Sequence, residues 1–220
     1  MSIALYLQTL HFLAALLLLI SFAMLSQRRI VGLITLFAWQ GAALASSTAL
    51  VAWVTNQHHL YWSAALTLTL KVIAMPWFFY GLVRRLNANR DVEPMINIPT
   101  TMLIGIVLVI FAFNLALPIS ALSSTLMRST LGIAMACVLL SFLMMITRRT
   151  AIPQVVGFLA MENGLFFAAT SATYGMPLVV ELGVALDVLV GVLVLGIFFF
   201  QIRETFESLD LKHMENLKER

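Results

Sequence analysis

The chain has 220 residues, of which 61% are hydrophobic and only 10% charged, and its mean hydropathy is +0.99. Soluble domains carry about a quarter charged residues, so the composition excludes a soluble globular protein and predicts an integral membrane protein. The net charge of +3 does not indicate nucleic-acid binding, because the basic residues form short clusters between apolar runs. The single cysteine, Cys137, excludes an internal disulfide and any cysteine-rich cluster site.

Seven apolar runs are long enough to cross a bilayer, which takes about 20 helical residues. They cover residues 3–26, 30–55, 61–84, 99–119, 126–147, 151–174 and 177–202. The first run has no basic residue before it and is too long for the apolar part of a signal peptide, so we expect a retained helix. The sequence therefore predicts an all-α, polytopic bundle of about seven transmembrane helices over residues 1–203. A short tail, residues 204–220, follows it.

Lysine and arginine predict the orientation of the bundle. Eleven of the 13 basic residues lie at or after the ends of the first, third, fifth and seventh spans. The connections after the second, fourth and sixth spans hold none, apart from Arg128 at the start of the fifth span. By the positive-inside rule, the N-terminus lies outside and the C-terminus is cytoplasmic.

An internal repeat is indicated by "SFAMLSQRR" at 21–29 and "SFLMMITRR" at 141–149. If it continues, residues 12–86 and 126–203 are two parallel three-helix copies, and 99–119 is a linking helix. The alignment then pairs Gln40 with Glu162 and Lys71 with Asp187. Internal repeats are common in transporter folds.

Four spans hold a strongly polar residue about ten positions from one end, which is close to the bilayer midplane at about 1.5 Å per residue. These residues are Gln40, Lys71, Glu162 and Asp187. A charge at that depth costs about 2.5–3.5 kcal/mol, whereas a polar helix–helix contact returns about 0.6–2 kcal/mol. We therefore interpret these four residues as part of an ion or proton pathway.

The structural alternative is a buried ion pair or a polar contact between helices, and it is strongest for Gln40. Glu181, near the outer end of the seventh span, is either an access group of the pathway or a solvated helix end. His58 and His59 are expected in a solvated outer loop, and no third ligand suggests a metal site. Low dielectric favours the neutral forms of carboxylates and amines, which suits proton transfer.

The run "RRTAIPQVVGFLAMENGLFF" and the exit "IRETFESLD" resemble the component E family of hydrogenase-4, membrane subunits of formate-hydrogenlyase-type group 4 nickel–iron hydrogenases. The resemblance extends over the whole chain and is weaker in the first half. The same segment is similar to two helices of the K subunit of respiratory complex I, each with a buried glutamate. The second of those glutamates falls on Asp187. The first falls on Leu159, about one helical turn before Glu162.

This resemblance implies a non-catalytic membrane subunit of a complex I-related hydrogenase in the bacterial cytoplasmic (inner) membrane. Its partners would be antiporter-like and anchor subunits and the lipid bilayer. Its proton or ion pathway would use Lys71, Glu162 and Asp187, coupled to redox chemistry in the partners. We expect no cofactor in this chain, because it has no cysteine pairs and no nucleotide-binding loop.

Three alternatives remain open. The chain is a subunit of a multi-component sodium/proton antiporter, a purely structural scaffold, or a seven-helix photoreceptor. The photoreceptor fits least, because its Schiff-base lysine would lie on the last helix. Lys71 would pair with Glu162 or Asp187 if the two repeats pack face to face. It would pair with a neighbouring subunit if they pack side by side, and we expect this second arrangement.

Overall fold

The computed structural model describes residues 3–85, 94–121 and 125–173, together with the single positions 183 and 189. Residues 1–184 form one compact unit and residues 185–220 a second. The helices are α1 (Ile3–Ser26), α2 (Ile30–Thr55), α3 (His58–Thr67), the π-helical segment π1 (Leu68–Ala74), α4 (Met75–Arg85), α5 (Ile98–Ala121), α6 (Thr125–Thr147) and α7 (Ala151–Thr173). The predicted seventh span and the tail lie outside the described residues, and so do Glu181 and Asp187.

Within the described part of the chain, six helices are long and apolar enough to cross a membrane. The third of them is continuous from His58 to Arg84 and combines α3, π1 and α4. These six helices confirm the all-α, polytopic fold predicted from the apolar runs. The protein is a multi-pass membrane protein.

The connection between α2 and the third span is shorter than the sequence predicted. The helix resumes at His58, so the two histidines occupy the first turn of α3 and not a loop. Asn56 ends α2 with a φ of 53°, in the left-handed region that asparagine tolerates better than most residues. Two residues therefore suffice to reverse the chain.

The central packing involves α1, α2, α6 and α7. Helix α1 contacts α2 and α6, while α2 contacts α7 and every segment of the third span. Helix α5 packs against α6 and α1. The helices of the two proposed repeats thus contact each other directly, α1 with α6 and α2 with α7. The repeat itself stays a prediction, because its last helix lies outside the described residues.

The bundle's exterior is apolar, as expected of a surface that faces lipid. Helix α5 is the most exposed of the six described spans, with 22% of its apolar window buried. All four tryptophans also point outward, and each exposes 63% or more of its surface. They are Trp39, Trp53, Trp62 and Trp77.

Candidate functional site

Lys71 lies in the π-helical segment of the third span, and only 3% of its side chain is exposed. In π1 the Met75 N–H donates to the Leu70 carbonyl, five residues back. Pro76 supplies a physical reason, because in a regular α-helix its ring would collide with the carbonyl of Val72. Single π turns are rare in helices and occur frequently at functional sites. The sequence therefore places an irregular turn where its buried lysine lies.

Glu162 lies at the middle of α7 and is the partner of Lys71. Lys71 Nζ is 3.8 Å from Glu162 Oε2, and the carboxylate side chain is 4% exposed. The distance suits an ion pair but exceeds the roughly 2.7–2.9 Å of a charge-assisted hydrogen bond. We call these two residues the charged pair. The expectation that Lys71 finds its partner in a neighbouring subunit is wrong, since the partner is in this chain.

Small residues let the helices that carry Lys71 and Glu162 pack closely enough for the two side chains to pair. A Cβ added to Gly41 of α2 would lie 3.1 Å from Lys71 Cβ, so glycine lets π1 approach α2 closely. In α7, Gly157 faces the backbone of Met145, and Gly164 faces that of Val138. Small residues allow such close backbone approach between membrane helices. Because α2 and α7 also contact each other, the lysine and the glutamate meet between them.

A second set of buried polar groups adjoins the charged pair. Asn163 Nδ2 donates to Gln40 Oε1 at 3.1 Å, and Gln40 Nε2 donates to Ser21 Oγ at 3.0 Å. Ser21 Oγ in turn donates to the Leu17 carbonyl at 2.9 Å. We call Asn163, Gln40 and Ser21 the amide chain. It ties α7, α2 and α1 together, as interhelical polar contacts do in membranes.

Sequence reasoning placed Gln40 correctly among the buried midspan groups but missed Asn163. Gln40 and Asn163 are both 0% exposed. The signal was present in "MEN", where the asparagine directly follows the glutamate in an apolar helix. We call the charged pair and the amide chain together the midspan cluster. Of the other predicted pathway residues, Asp187 and Glu181 lie outside the described residues, so their role stays a prediction.

Arg148 is a further buried charge that the sequence did not single out. It follows α6, is 2% exposed, and its Nη2 donates to the Leu25 carbonyl near the end of α1 at 2.7 Å. Removal of the guanidinium from water lowers the pKa of Arg148. Its neighbour Arg149 is exposed. The positive cluster between α6 and α7 is therefore partly structural, because one arginine closes the end of another helix.

Metal ligands do not gather in the described part of the chain, where no three side chains of His, Cys, Asp or Glu lie close enough to hold an ion. The chemistry available at the midspan cluster is therefore that of the lysine, the glutamate and the amides. A carboxylate and an amine can exchange protons, whereas amides mainly orient their neighbours.

The fold and the site define a polytopic membrane helix bundle with an ion pair buried at mid-span. The chain is 33% identical over 194 residues to the uncharacterized protein Rv0085 of Mycobacterium tuberculosis, which covers 88% of each chain. It is 25% identical over 159 residues to hydrogenase-4 component E of Escherichia coli K12, which covers 72% of this chain and 73% of that one. Hydrogenase-4 component E of Shigella flexneri matches to the same extent.

The chain belongs to one family with Rv0085. Its similarity to hydrogenase-4 component E confirms the resemblance found in the sequence. No family model matches the chain. No solved structure matches it either.

Proposed function

We propose that the chain is a membrane subunit of a hydrogenase complex and forms part of a proton or ion pathway coupled to redox chemistry in partner subunits. The similarity to hydrogenase-4 component E supports the first part. The observation that supports the second is the charged pair, Lys71 and Glu162, buried at the middle of two spans. Ionisable groups at that depth are costly and mark ion pathways by default.

The charged pair has the properties that a proton relay requires. Both groups can gain or lose a proton, and the 3.8 Å separation leaves room for a change of partner. A buried ion pair is poor at stabilising a bundle, because the cost of removing both charges from water can exceed their attraction. In our proposal, Asp187 continues the pathway on the seventh span, and Glu181 gives access to the outer face.

The test is to replace each charge without changing side-chain length in the assembled complex. We expect Glu162→Gln and Lys71→Met to lower proton movement by about a hundredfold or more, the scale set by loss of a proton-transferring group. Proton movement is measured with a pH-sensitive dye in inverted membrane vesicles, and assembly by co-purification of the partner subunits. Thr69→Val is the matched control, because Thr69 is exposed two residues from Lys71.

Full proton movement in assembled complexes of both variants would leave the scaffold interpretation in place. The proteins that co-purify with the chain distinguish our proposal from the antiporter alternative. Hydrogenase subunits support our proposal, whereas antiporter subunits alone support a transporter without a redox partner.

The orientation is also part of the proposal. Basic residues in the connections after the first, third and fifth spans favour a cytoplasmic C-terminus and an outer N-terminus. We expect a reporter that is active only in the cytoplasm to be active when it is fused after Arg220. Activity of a periplasm-dependent reporter at the same position would reverse the orientation.

A further inference from the structure

Two hydroxyls on the third span are buried in an unusual way. Ser63 is 5% exposed and Thr67 is 0% exposed. Neither hydroxyl oxygen has a hydrogen-bond partner in the described structure. Other buried hydroxyls, those of Ser47, Thr48 and Thr170, donate to carbonyls of their own helices. Serine and threonine in helices can usually make that local bond. Its absence at Ser63 and Thr67, one helical turn apart, therefore needs a physical explanation.

These two hydroxyls lie on the same face of the third span as Lys71. Positions 63, 67 and 71 are four residues apart, the spacing that places side chains above one another on a helix. Ser63 is about 12 Å from Lys71 along the axis at 1.5 Å per residue. At the start of this span, Gln57 Oε1 is also buried without a hydrogen-bond partner among the described residues. The polar atoms thus run from the His58 end of the span to the charged pair.

The other half of the same face is apolar. Beyond Lys71, the buried residues of the third span are Met75, Pro76, Phe79, Leu82 and Val83. The polar groups that lead away from the cluster on α2 and α1 belong to the amide chain. In it Gln40 and Ser21 are hydrogen-bonded, and the buried Asn163 Oδ1 has no partner in the described structure. Along the third span, the described structure therefore offers open hydrogen-bonding capacity on the His58 side of the charged pair and an apolar buried face on the Arg84 side.

We propose that water reaches the charged pair from the His58 end of the third span, along Ser63 and Thr67, and not from the Arg84 end. Buried polar groups that lack protein partners are commonly satisfied by water. Ionisable residues inside membrane spans, such as Lys71 and Glu162, face the bundle interior or a water-filled cavity. By the loop charges, the His58 end is the outer face. That protons use the path rests on the proposed function, whereas the existence of the path does not.

Thiol accessibility tests the path without any transport assay. Ser63→Cys, Thr67→Cys and Met75→Cys are made in a Cys137→Ala background, because Cys137 is the only native cysteine. His58→Cys and Arg84→Cys identify the two membrane faces, since both native residues are exposed. Ag⁺ is added to right-side-out or inverted vesicles containing the full complex. Thiols that it has blocked are then detected by loss of maleimide labelling after denaturation.

We expect the Ser63→Cys and Thr67→Cys variants to react from the face on which His58→Cys reacts. Their rates should exceed that of Met75→Cys by about tenfold or more, because a cation does not cross apolar packing. Reaction from the Arg84 face, or rates no higher than that of Met75→Cys, would overturn the inference.

A second variant tests whether protons use the path. Thr67→Val keeps the shape and removes the hydroxyl, and Thr69→Val is its control, since Thr69 Oγ1 donates to the Ala65 carbonyl on the exposed face. We expect Thr67→Val to slow proton movement about tenfold, the scale of one lost hydrogen bond in a barrier. If Glu162→Gln abolishes proton movement but Thr67→Val leaves it unchanged, the path has no role in proton movement. If Glu162→Gln has no effect but the thiols react, the proposed function fails and the water path stands.

Discussion

The charged pair and the amide chain adjoin in the midspan cluster, yet their polar atoms are held differently. Gln40, Asn163 and Ser21 are joined by hydrogen bonds of 3.0–3.1 Å, which fix three helices in register. Lys71 and Glu162 face each other at 3.8 Å, a looser contact between groups that can change charge. The difference separates two uses of polarity inside a membrane. Neutral bonded groups stabilise the packing, and ionisable groups at a longer distance can transfer protons.

The largest effect should follow from removing one charge of the pair. In Glu162→Leu, Lys71 would remain buried beside an apolar residue, and loss of one partner of a buried pair costs about 3–5 kcal/mol. We expect a marked loss of thermal stability in detergent. Adding Lys71→Met should recover most of that loss. If the double variant is no more stable than Glu162→Leu alone, the two charges are not coupled and the comparison fails.

Arg148 extends the comparison to a buried charge that is bonded to the backbone. Arg148→Met keeps the apolar stem and removes the hydrogen bond to the Leu25 carbonyl, so we expect a loss of about 1.5–3 kcal/mol in unfolding free energy. Arg149→Met, at an exposed position, should change it by less than about 0.5 kcal/mol. Equal effects of the two variants in thermal unfolding would contradict a structural role for Arg148.

The amide chain should respond with a smaller change and without loss of transport. Gln40→Leu removes two hydrogen bonds, which are worth about 0.6 kcal/mol each in membrane proteins. We expect a loss of about 1 kcal/mol in unfolding free energy, with proton movement retained in the assembled complex. Ser46→Ala, exposed on the same helix, controls for changes in α2. Loss of proton movement in Gln40→Leu at normal stability would place the amide chain in the pathway.

The smallest effect is expected at Gly41, where packing sets the position of Lys71. Alanine gains about 1 kcal/mol over glycine in a helix, but at Gly41 its Cβ would lie 3.1 Å from Lys71 Cβ. We expect Gly41→Ala to change stability little and to slow proton movement by displacing the lysine. Gly81→Ala meets no atom within 4 Å and should gain stability with normal movement. Equal stability and equal proton movement in Gly41→Ala and Gly81→Ala would contradict the close approach of Gly41 to Lys71.

The limits of the spans could be predicted closely, because bilayer thickness dictates the length of an apolar run. The runs 3–26 and 30–55 coincide with α1 and α2. The π turn could not be predicted from hydropathy, although Pro76 marks it. The depth of Lys71 and Glu162 in the membrane could also be predicted, because it follows from their positions along the helices.

The partner of Lys71 was predicted wrongly because depth does not say which helix faces meet. That choice depends on close packing at Gly41 and at the two α7 glycines, Gly157 and Gly164. Arg148 shows the same limit. Arg28 and Arg29, its counterparts in the matching sequence segment, are both exposed, so the pattern "RR" alone does not distinguish a buried arginine from a solvated one.

The outward direction of every tryptophan has a consequence for spectroscopy. Because Trp39, Trp53, Trp62 and Trp77 are all 63–81% exposed on an apolar exterior, the intrinsic fluorescence of this chain reports on its surroundings more than on its core. In bilayers that contain brominated lipid, all four indoles of the isolated chain are open to collisional quenching. Any indole covered by a neighbouring subunit escapes it. The emission of the native protein, without added labels, can therefore show which sides of the bundle are occupied in an assembly.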